Sequence, residues 1–183
     1  SLPKDLVSAD LESFDDKWAG EQVAGRLEGS RYVPYYTRAE IESGQLAGQQ
    51  LEILWVNDPI DSFFLHIQGS GRIILPDGSH VRLGYAGRNG RRYTAIGREL
   101  VAAGIMRLKD VNMGSLRRWL ESNPVAGRAV MQKNKSFIFF RVVKGQGPLG
   151  AQGVVLTPGR SVAVDRRHVP LGVPMWLATT EPG

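Results

Sequence analysis

Two short apolar runs on either side of Asp77-Gly78 constrain the fold of this chain most strongly. In segment 72–83, RIILPDGSHVRL, this pair offers the positive φ angles of a tight turn, so the segment predicts a β-hairpin. Residues 22–27 and 31–36 flank a glycine-bearing turn, Glu28-Gly29-Ser30, and predict another hairpin. Further apolar strands are predicted, at 51–56 and 63–68. The first half therefore indicates a small barrel or sandwich.

Helices are predicted where the apolar period changes. Thr37 and Glu40 have the spacing of a capping box, which predicts a short helix through Leu46. From Thr94 the apolar residues recur on one helical face, and Gly104 is a natural C-terminal stop. The period of the second half is thus helical at its start.

A second and a third helix are expected to meet at Asn123-Pro124, since asparagine caps a helix and proline fits its first turn. The apolar residues of the second helix are Leu116, Trp119 and Leu120. Strands are predicted to follow, at 136–143, 153–156, 161–164 and 175–178. The change of period predicts a domain boundary near residue 105. The expected fold class is mainly β with a few helices.

The composition is that of a globular protein. With 183 residues, 42% of them hydrophobic, the chain is long enough to bury a core. The absence of cysteine excludes a disulfide framework and thiolate metal chemistry. No stretch approaches the roughly 20 apolar residues of a membrane span, and residues 1–4 lack an apolar signal core.

The net charge of +5 leaves three interpretations open. Ordinary solvated surface charge is one. Long-range attraction of an acidic glycan polymer is another. A nucleic-acid-binding barrel is the third, although the dense basic clusters at 88–92, 117–118 and 166–167 lack the aromatic spacing of an RNA-binding sheet.

Several other chemistries fail on spacing. The three histidines lie far apart without carboxylates at ligand intervals, so no metal site is expected. The chain has no Gly-x-Ser-x-Gly elbow for a serine nucleophile. Asp58 and Asp61 offer an acid and a base, but Asp-Pro is a frequent turn opener and the turn is the favoured interpretation. Core packing is predicted for three tryptophans, Trp55, Trp119 and Trp176.

Three segments are candidates for ligand contact. The run Gln68-Gly69-Ser70-Gly71, predicted to lie between two strands, is either a structural bend or one wall of a sugar groove, in which Gln68 and Ser70 would hydrogen-bond to hydroxyls. Asn89-Gly90 is first of all a turn, whereas Tyr93 combines a flat apolar face with a hydroxyl. Asp165 follows an apolar run and precedes Arg166-Arg167, so it either ends a strand or holds a turn as a carboxylate.

These blocks together resemble the lytic murein transglycosylase A family. Matching segments run through 51–177 and include QGSGR at 68–72, GYAGRNG at 84–90 and the run 159–177. Asp165 is similar to the first of the three aspartates that characterise the family's C-terminal domain. The resemblance implies a fold in which a small inserted β-barrel domain, residues 1–105, packs on part of a double-psi β-barrel. Residues 106–183 would then be the helices and strands of an incomplete double-psi β-barrel at the start of the three-aspartate domain.

The resemblance also implies an activity. Members of the family cleave the β-1,4 bond between N-acetylmuramic acid and N-acetylglucosamine and form a 1,6-anhydromuramyl end without using water. The proton donor would be the last of the three aspartates, expected beyond Gly183, with Asp165 in a supporting role. The substrate-binding residues implied are Gln68, Gly69, Ser70, Gly71, Tyr85, Asn89 and Tyr93. A non-catalytic glycan-binding module is the alternative.

The same resemblance implies a setting for the protein. Peptidoglycan glycan strands are the expected partner, with no nucleic acid and no cofactor. Membrane contact is expected only through a lipid anchor in the parent protein. A monomer is expected in the periplasm, associated with the outer membrane.

Overall fold

Two antiparallel sheets and a set of helices make up the computed structural model, which describes residues 2–18, 21–145 and 150–178. The elements, in chain order, are β1 (Val7–Asp10), β2 (Gln22–Glu28), β3 (Arg31–Pro34), α1 (Arg38–Glu40), α2 (Pro59–Gln68), β4 (Gly71–Ile74), β5 (His80–Arg88), α3 (Ile96–Ala102), α4 (Met113–Ser122), α5 (Pro124–Lys133) and β6 (Ile138–Val142). Short 3-10 turns lie at Leu11–Ser13, Asp16–Trp18 and Leu108–Asp110, and a π turn, Ile41–Gln45, continues α1. Chain contacts define two units, residues 1–143 and 144–183.

The first sheet has the order β1-β2-β3 and confirms the predicted hairpin, in which Gly29 takes a φ of 61°. Tyr32 lies across this sheet, and its hydroxyl donates to the Val7 carbonyl at 3.1 Å. A Cβ on Gly25 would stand 2.4 Å from the Val33 oxygen and 2.7 Å from the Tyr32 ring. Glycine is therefore required at position 25 by the close approach of β3.

The second sheet has the order β4-β5-β6, with Gly71 opposite Leu83 and Tyr85 opposite Phe140. The predicted β4–β5 hairpin is confirmed, but its turn differs from the expectation. Only the glycine of the Asp77-Gly78 pair has a positive φ, of 81°. The Asp77 carboxylate instead accepts from the Ser79 amide at 2.9 Å and from its hydroxyl at 2.6 Å. Asp77 thus stabilises the turn through its side chain.

Helix α2 corrects the strand predicted at 63–68. The Asp58 side chain caps its N-terminus, Pro59 occupies the first turn, and Gly69 ends it in the left-handed conformation with a φ of 74°. Its apolar residues, Ile60, Phe63, Phe64 and Ile67, recur at helical spacing and line the core. When the apolar residues are counted from the helix cap at Asp58, their spacing is helical and not alternating.

The other predicted helices are confirmed. Thr37 and Glu40 form the expected capping box, and Gly104 follows α3 with a φ of 71°. Residues of α2, α3, α4 and α5 share one core cluster: Ile60, Phe63, Phe64, Ile96, Leu120 and Met131, with Trp119 packed against it as predicted. Arg117 of α4 pairs with Asp61 of α2, and its guanidinium lies 5.4 Å from the Phe64 ring centroid. These contacts hold α4 against α2.

Several predicted strands are wrong. Residues 51–56 belong to no sheet, and no strand forms within the described residues 150–178. An apolar run becomes a strand only when a second backbone pairs with it, and composition cannot supply that partner. The packing of Trp55 and Trp176 is also corrected, because they are 85% and 94% exposed.

The mixed sheet-and-helix class is confirmed, and residues 138–142 form a strand as expected. Neither sheet closes into a barrel within the parts of the chain that the structure describes. The domain boundary near residue 105 stays a prediction. The division after Val143 separates two units by their internal contacts, and α3, α4 and α5 pack together within the first unit.

Candidate functional site

A corner between a helix and a strand carries the Gln68–Gly71 run, which corrects the expectation of a bulge between two strands. Gly69 ends α2, and its amide donates to the Leu65 carbonyl at 2.9 Å. A Cβ on Gly71 would stand 2.4 Å from Leu65 Cδ1. Glycine is therefore favoured at position 69 by its left-handed backbone and at position 71 by the close approach of Leu65. The side chains of Gln68 and Ser70, on either side of Gly69, are exposed.

Tyr85 lies beside this corner. Gly71, the first residue of β4, pairs with Leu83 of β5. Tyr85 follows two residues later on β5, about 7 Å along the strand. Its side chain is 49% exposed. The register thus places Tyr85 two residues past the partner of Gly71. Its exposed ring and the side chains of Gln68 and Ser70 are the kinds of apolar face and hydrogen-bonding group that a sugar ring requires. We call Gln68, Gly69, Ser70, Gly71 and Tyr85 the corner site.

Asn89 is not on this surface. It is fully buried, and its amide nitrogen donates to the carbonyls of Tyr36 and Lys135, both at 2.8 Å. Its amide oxygen accepts from the backbone N–H groups of Phe137 at 2.9 Å and Arg91 at 3.3 Å. All of the hydrogen-bonding capacity of this amide is used within the protein. In this conformation Asn89 shapes the loop that follows it and does not face a ligand.

Tyr93 lies on that loop and is 54% exposed. The loop is held on both sides of the tyrosine. Arg91 Nε donates to the Tyr35 carbonyl at 2.6 Å, and the Thr94 amide donates to Oδ1 of the buried Asn134 at 3.1 Å. Tyr93 is thus an exposed aromatic residue on a fixed backbone, beyond the end of β5.

Two adjoining cavities are lined in part by the residues that precede α2. The first, about 660 Å³, lies between the start of α2 and the α4–α5 junction. The second, about 470 Å³, is lined mainly by apolar residues, among them Trp55, Leu65, Phe137 and Phe139. Glu42, Val56 and Ser62 line both cavities, so the two adjoin. Neither cavity includes the corner site or Tyr93.

Sequence reasoning missed the role of Trp55. Its position in an apolar run predicts a core residue, but its indole is on the rim of the smaller cavity. No local signal in the sequence distinguishes this position from a core position.

His66 closes one side of the smaller cavity as a neutral residue. Its Nδ1 accepts from the Ile138 amide at 3.1 Å, and its ring centroid lies 4.2 Å from that of Phe137. Burial, followed by the charge of Arg38, lowers the pKa of His66 to about 3. His66 is therefore an acceptor that fixes β6, and it cannot exchange protons with a substrate near neutral pH.

The lowered pKa of His66 makes stability depend on pH. Between its unfolded pKa near 6.5 and its folded value of about 3, the unfolded chain binds the extra proton, so stability falls as the pH falls. From pH 7 to pH 4.5, we expect the free energy of unfolding to decrease by about 2 kcal/mol more in the wild type than in His66→Gln. Urea unfolding at both pH values measures this difference. His80→Gln, at an exposed position, should keep the wild-type slope, and equal slopes for all three proteins would refute the assignment.

Asp58 and Asp61 do not form an acid–base pair. Asp58 Oδ1 accepts from the Ile60 amide at 2.7 Å as the cap of α2, and Arg117 lies 3.7 Å from its other oxygen. Asp61 pairs with the same arginine. The predicted turn is in fact a helix start, and both carboxylates serve to hold it.

Asp165 belongs to the second unit and holds a turn. Its Oδ1 accepts from the Arg167 amide at 2.9 Å, and its Oδ2 lies 2.7 Å from the Arg167 guanidinium. Its carbonyl accepts from His168 and Val169, both at 2.9 Å. The side-chain hydrogen bonds from Arg167 lower the pKa of Asp165, so Asp165 is an ionised, exposed carboxylate and not a proton donor.

Two further properties concern the described residues alone. They contain no group of three or more His, Asp or Glu side chains that could hold a metal ion. None of their helices has the length and apolar character that crossing a bilayer requires.

Comparison with known proteins identifies close similarities. A family model described as the MltA specific insert domain matches residues 1–141. The membrane-bound lytic murein transglycosylase A of Vibrio cholerae is 35% identical over 141 residues, which are 76% of this chain and 38% of that protein. The protein of the same name from Escherichia coli K12 is 36% identical over 138 residues, 74% of this chain and 38% of the relative. The chain thus spans about two fifths of the length of these relatives.

Solved structures agree with these matches. MltA from Neisseria gonorrhoeae has a TM-score of 0.73 at 40% identity, covering 84% of this chain and 37% of that one. The membrane-bound lytic murein transglycosylase of Agrobacterium tumefaciens has a TM-score of 0.76 at 35% identity, covering 90% and 46%. E. coli MltA with bound chitohexaose has a TM-score of 0.68 at 32% identity, covering 79% and 46%.

Proposed function

This chain belongs to the MltA family, and we propose that it is the glycan-binding part of a peptidoglycan lytic transglycosylase. The parent protein would cleave the β-1,4 bond between N-acetylmuramic acid and N-acetylglucosamine and form a 1,6-anhydromuramyl end. The chain spans 38% of the V. cholerae relative, so cleavage is proposed for the parent protein rather than for these 183 residues alone.

The corner site is the observation that carries this proposal. The strand register supports it, because the half-exposed Tyr85 lies two residues past the partner of Gly71. Gln68 and Ser70, which can donate and accept hydrogen bonds, lie on either side of Gly69, between the end of α2 and the start of β4. A similar protein binds chitohexaose, an oligomer of N-acetylglucosamine. A sugar residue that stacks on Tyr85 would place its hydroxyl and acetamido groups within reach of Gln68 and Ser70. We extend the site along the glycan to Tyr93, whose loop Asn89 supports.

The proton for bond cleavage is proposed to come from a carboxyl group other than those described. A general acid must keep its proton near neutral pH, which needs a raised pKa. Where the described carboxyl groups have a resolved shift, at Asp15, Glu40, Asp77 and Asp165, hydrogen bonds to the charged form lower the pKa. The role left for Asp165 is a supporting one, in which its pairing with Arg167 fixes the turn at 165–169.

The names of the relatives support a proposal for the location of the protein. Relatives are named membrane-bound lytic murein transglycosylases. We propose a periplasmic location with outer-membrane association through a lipid anchor in the parent protein. We also propose that the protein acts as a monomer on glycan strands.

Binding of chitohexaose to the 183-residue chain tests the proposal. Tyr85→Ala is expected to weaken binding about tenfold, because a half-exposed tyrosine ring loses on the order of 50 Å² of apolar contact with the sugar. Titration calorimetry measures the affinity. Tyr32→Ala is the matched control, since Tyr32 is 45% exposed on the first sheet, and it should leave the affinity unchanged.

The outcomes separate the alternatives. A wild-type chain that fails to bind chitohexaose, or equal losses in both variants, would refute the corner site. Anhydro-ended muropeptides released from sacculi by the parent protein would support the enzyme. Binding without such products from either the chain or the parent protein would favour the non-catalytic glycan-binding module.

A further inference from the structure

The Asn89-Gly90 pair after β5 is a sequence in which asparagine is prone to deamidation. The backbone nitrogen of the glycine attacks the side-chain carbonyl carbon of the asparagine and forms a cyclic imide. The side-chain nitrogen and the glycine amide proton leave as ammonia, and water then opens the imide to aspartate or isoaspartate. Glycine favours the attack because it has no Cβ to hinder the approach. Asn89 is the one asparagine of five that a glycine follows.

The fold requires both residues of this pair. The side-chain amide of Asn89 is fully buried and makes four hydrogen bonds to backbone groups. Gly90 has a φ of 70°, and a Cβ there would stand 2.7 Å from the Ala24 oxygen and 2.8 Å from the Ala24 nitrogen. A larger residue at position 90 would therefore meet both backbone strain and a clash with β2. The reactive pair cannot be replaced by a slower one without a loss of stability.

The hydrogen bonds of Asn89 oppose the reaction in the folded chain. Its Nδ2, the group that leaves, donates to the carbonyls of Tyr36 and Lys135, both at 2.8 Å. Its Oδ1 accepts from the Phe137 N–H at 2.9 Å. Attack by the Gly90 nitrogen makes the planar amide carbon tetrahedral and moves both atoms, so these bonds must break. Burial of the side chain also keeps away the water that opens the imide.

We propose that Asn89 is a deamidation site that the fold keeps closed, so that only chains that have unfolded are modified and the modified chains cannot regain the native structure. Aspartate at this position replaces the donating nitrogen with an oxygen that faces two carbonyl oxygens. Isoaspartate also lengthens the main chain by one carbon atom within a tightly packed turn. Either product makes unfolding irreversible through chemical modification. The inference does not depend on glycan binding.

Two exposed asparagines are internal references for the reaction. Asn57 and Asn112 lie at the surface, but Asp58 and Met113 follow them. The side chains of these following residues hinder the attack in every state of the chain. If the fold controls access to Asn89, its rank among the asparagines changes between the folded and the unfolded chain.

The test incubates the 183-residue chain at mildly alkaline pH with and without guanidinium chloride. Peptide mapping by mass spectrometry measures aspartate and isoaspartate at each asparagine. In the denaturant, Asn89 is expected to convert before the other four, and Gly90→Ala should slow its conversion about tenfold or more. Without the denaturant, wild-type Asn89 should convert about tenfold more slowly or less, because few chains are unfolded at any time.

A pair of leucine variants tests whether unfolding opens the site. Leu120→Ala should speed the conversion of Asn89 in buffer about tenfold or more, because Leu120 is 1% exposed and its loss makes unfolding more frequent. Leu108→Ala makes the same substitution at a residue that is 74% exposed, so it should keep the wild-type rate. Neither leucine is among the four hydrogen-bond partners of the Asn89 side chain.

Refolding measures the consequence of the modification. After incubation in the denaturant, the fraction of wild-type chains that regain the native circular dichroism on dilution should fall in step with the fraction converted at Asn89. Incubation for the same time at mildly acidic pH, where the attacking nitrogen keeps its proton, should leave refolding intact.

Three results would overturn the inference. Equal rates at Asn89 in buffer and in denaturant would show that the fold does not close the site. Equal rates in the wild type and Leu120→Ala would show that the site opens without unfolding. Recovery of the native spectrum by chains converted at Asn89 would show that the modification does not block refolding.

Discussion

Phe63→Ala is expected to lower the free energy of unfolding by about 3–5 kcal/mol, because it removes a large ring from the centre of the helical core. Phe63 is 2% exposed and contacts the cluster shared by α2, α3, α4 and α5. Its ring centroid also lies 5.0 Å from the guanidinium of the buried Arg38. The space left by the ring would border this charge, so the cavity cost adds to the loss of a cation–π contact. Urea unfolding followed by circular dichroism measures the change.

The matched control for this variant is Phe14→Ala. Phe14 is 73% exposed, so its replacement should change the free energy of unfolding by less than about 0.5 kcal/mol. A loss below about 1 kcal/mol for Phe63→Ala would contradict the placement of the core between α2 and α5.

Asn89→Ala is expected to cost about 3–4 kcal/mol of stability, because it removes a fully buried amide that makes four hydrogen bonds to surrounding backbone groups. The amide of Asn89 serves the carbonyls of Tyr36 and Lys135 and the N–H of Phe137. Asn89→Asp should be at least as destabilising, since it replaces the donating nitrogen with an oxygen that faces two carbonyl oxygens. Chemical denaturation gives both values.

Asn57→Ala is the control for the buried amide. Asn57 is exposed and makes no hydrogen bond among the described residues, so its replacement should cost less than about 0.5 kcal/mol. If Asn89→Ala unfolded at the same urea concentration as the wild type, the interior position of Asn89 would be wrong. Glycan binding by the folded fraction of Asn89→Ala separates its support of the Tyr93 loop from direct contact.

Local rules predicted the elements whose signals are local. The turn at Gly29 and the capping box of Thr37 each depend on neighbouring residues, and each was predicted correctly. The position of the helix junction at Asn123-Pro124 was also correct, but the Asn123 side chain donates to the Trp119 carbonyl and does not cap α5. Helix α2 was missed because its start and stop signals, Asp58-Pro59 and Gly69, were interpreted as separate turns. Without them the window 63–68 is too short to distinguish periods of two and 3.6 residues.

The candidate site was predictable only in part. Gln68, Ser70 and Tyr85 were named from the sequence, but the proposal that they form one site depends on the pairing of Gly71 with Leu83. The interior role of Asn89 depends on carbonyls 53 and 46 residues away, and sequence spacing shows nothing of such a contact. An Asn-Gly pair therefore indicated an ordinary turn, which Gly90 does support with a φ of 70°.

The distant hydrogen-bond partners of Asn89 also determine when the loop that carries Tyr93 can form during folding. The hydrogen bonds from Asn89 to Tyr36 and Lys135 close chain loops of 53 and 46 residues. Closing each loop lowers the conformational entropy of the chain, and this cost opposes the formation of either bond. Hairpins and single helices can appear early from neighbouring residues, but the loop that carries Tyr93 acquires its shape only once residues 36 and 135 have both reached Asn89. A nascent chain that stops before Lys135 would display the tyrosine without the geometry that orients it.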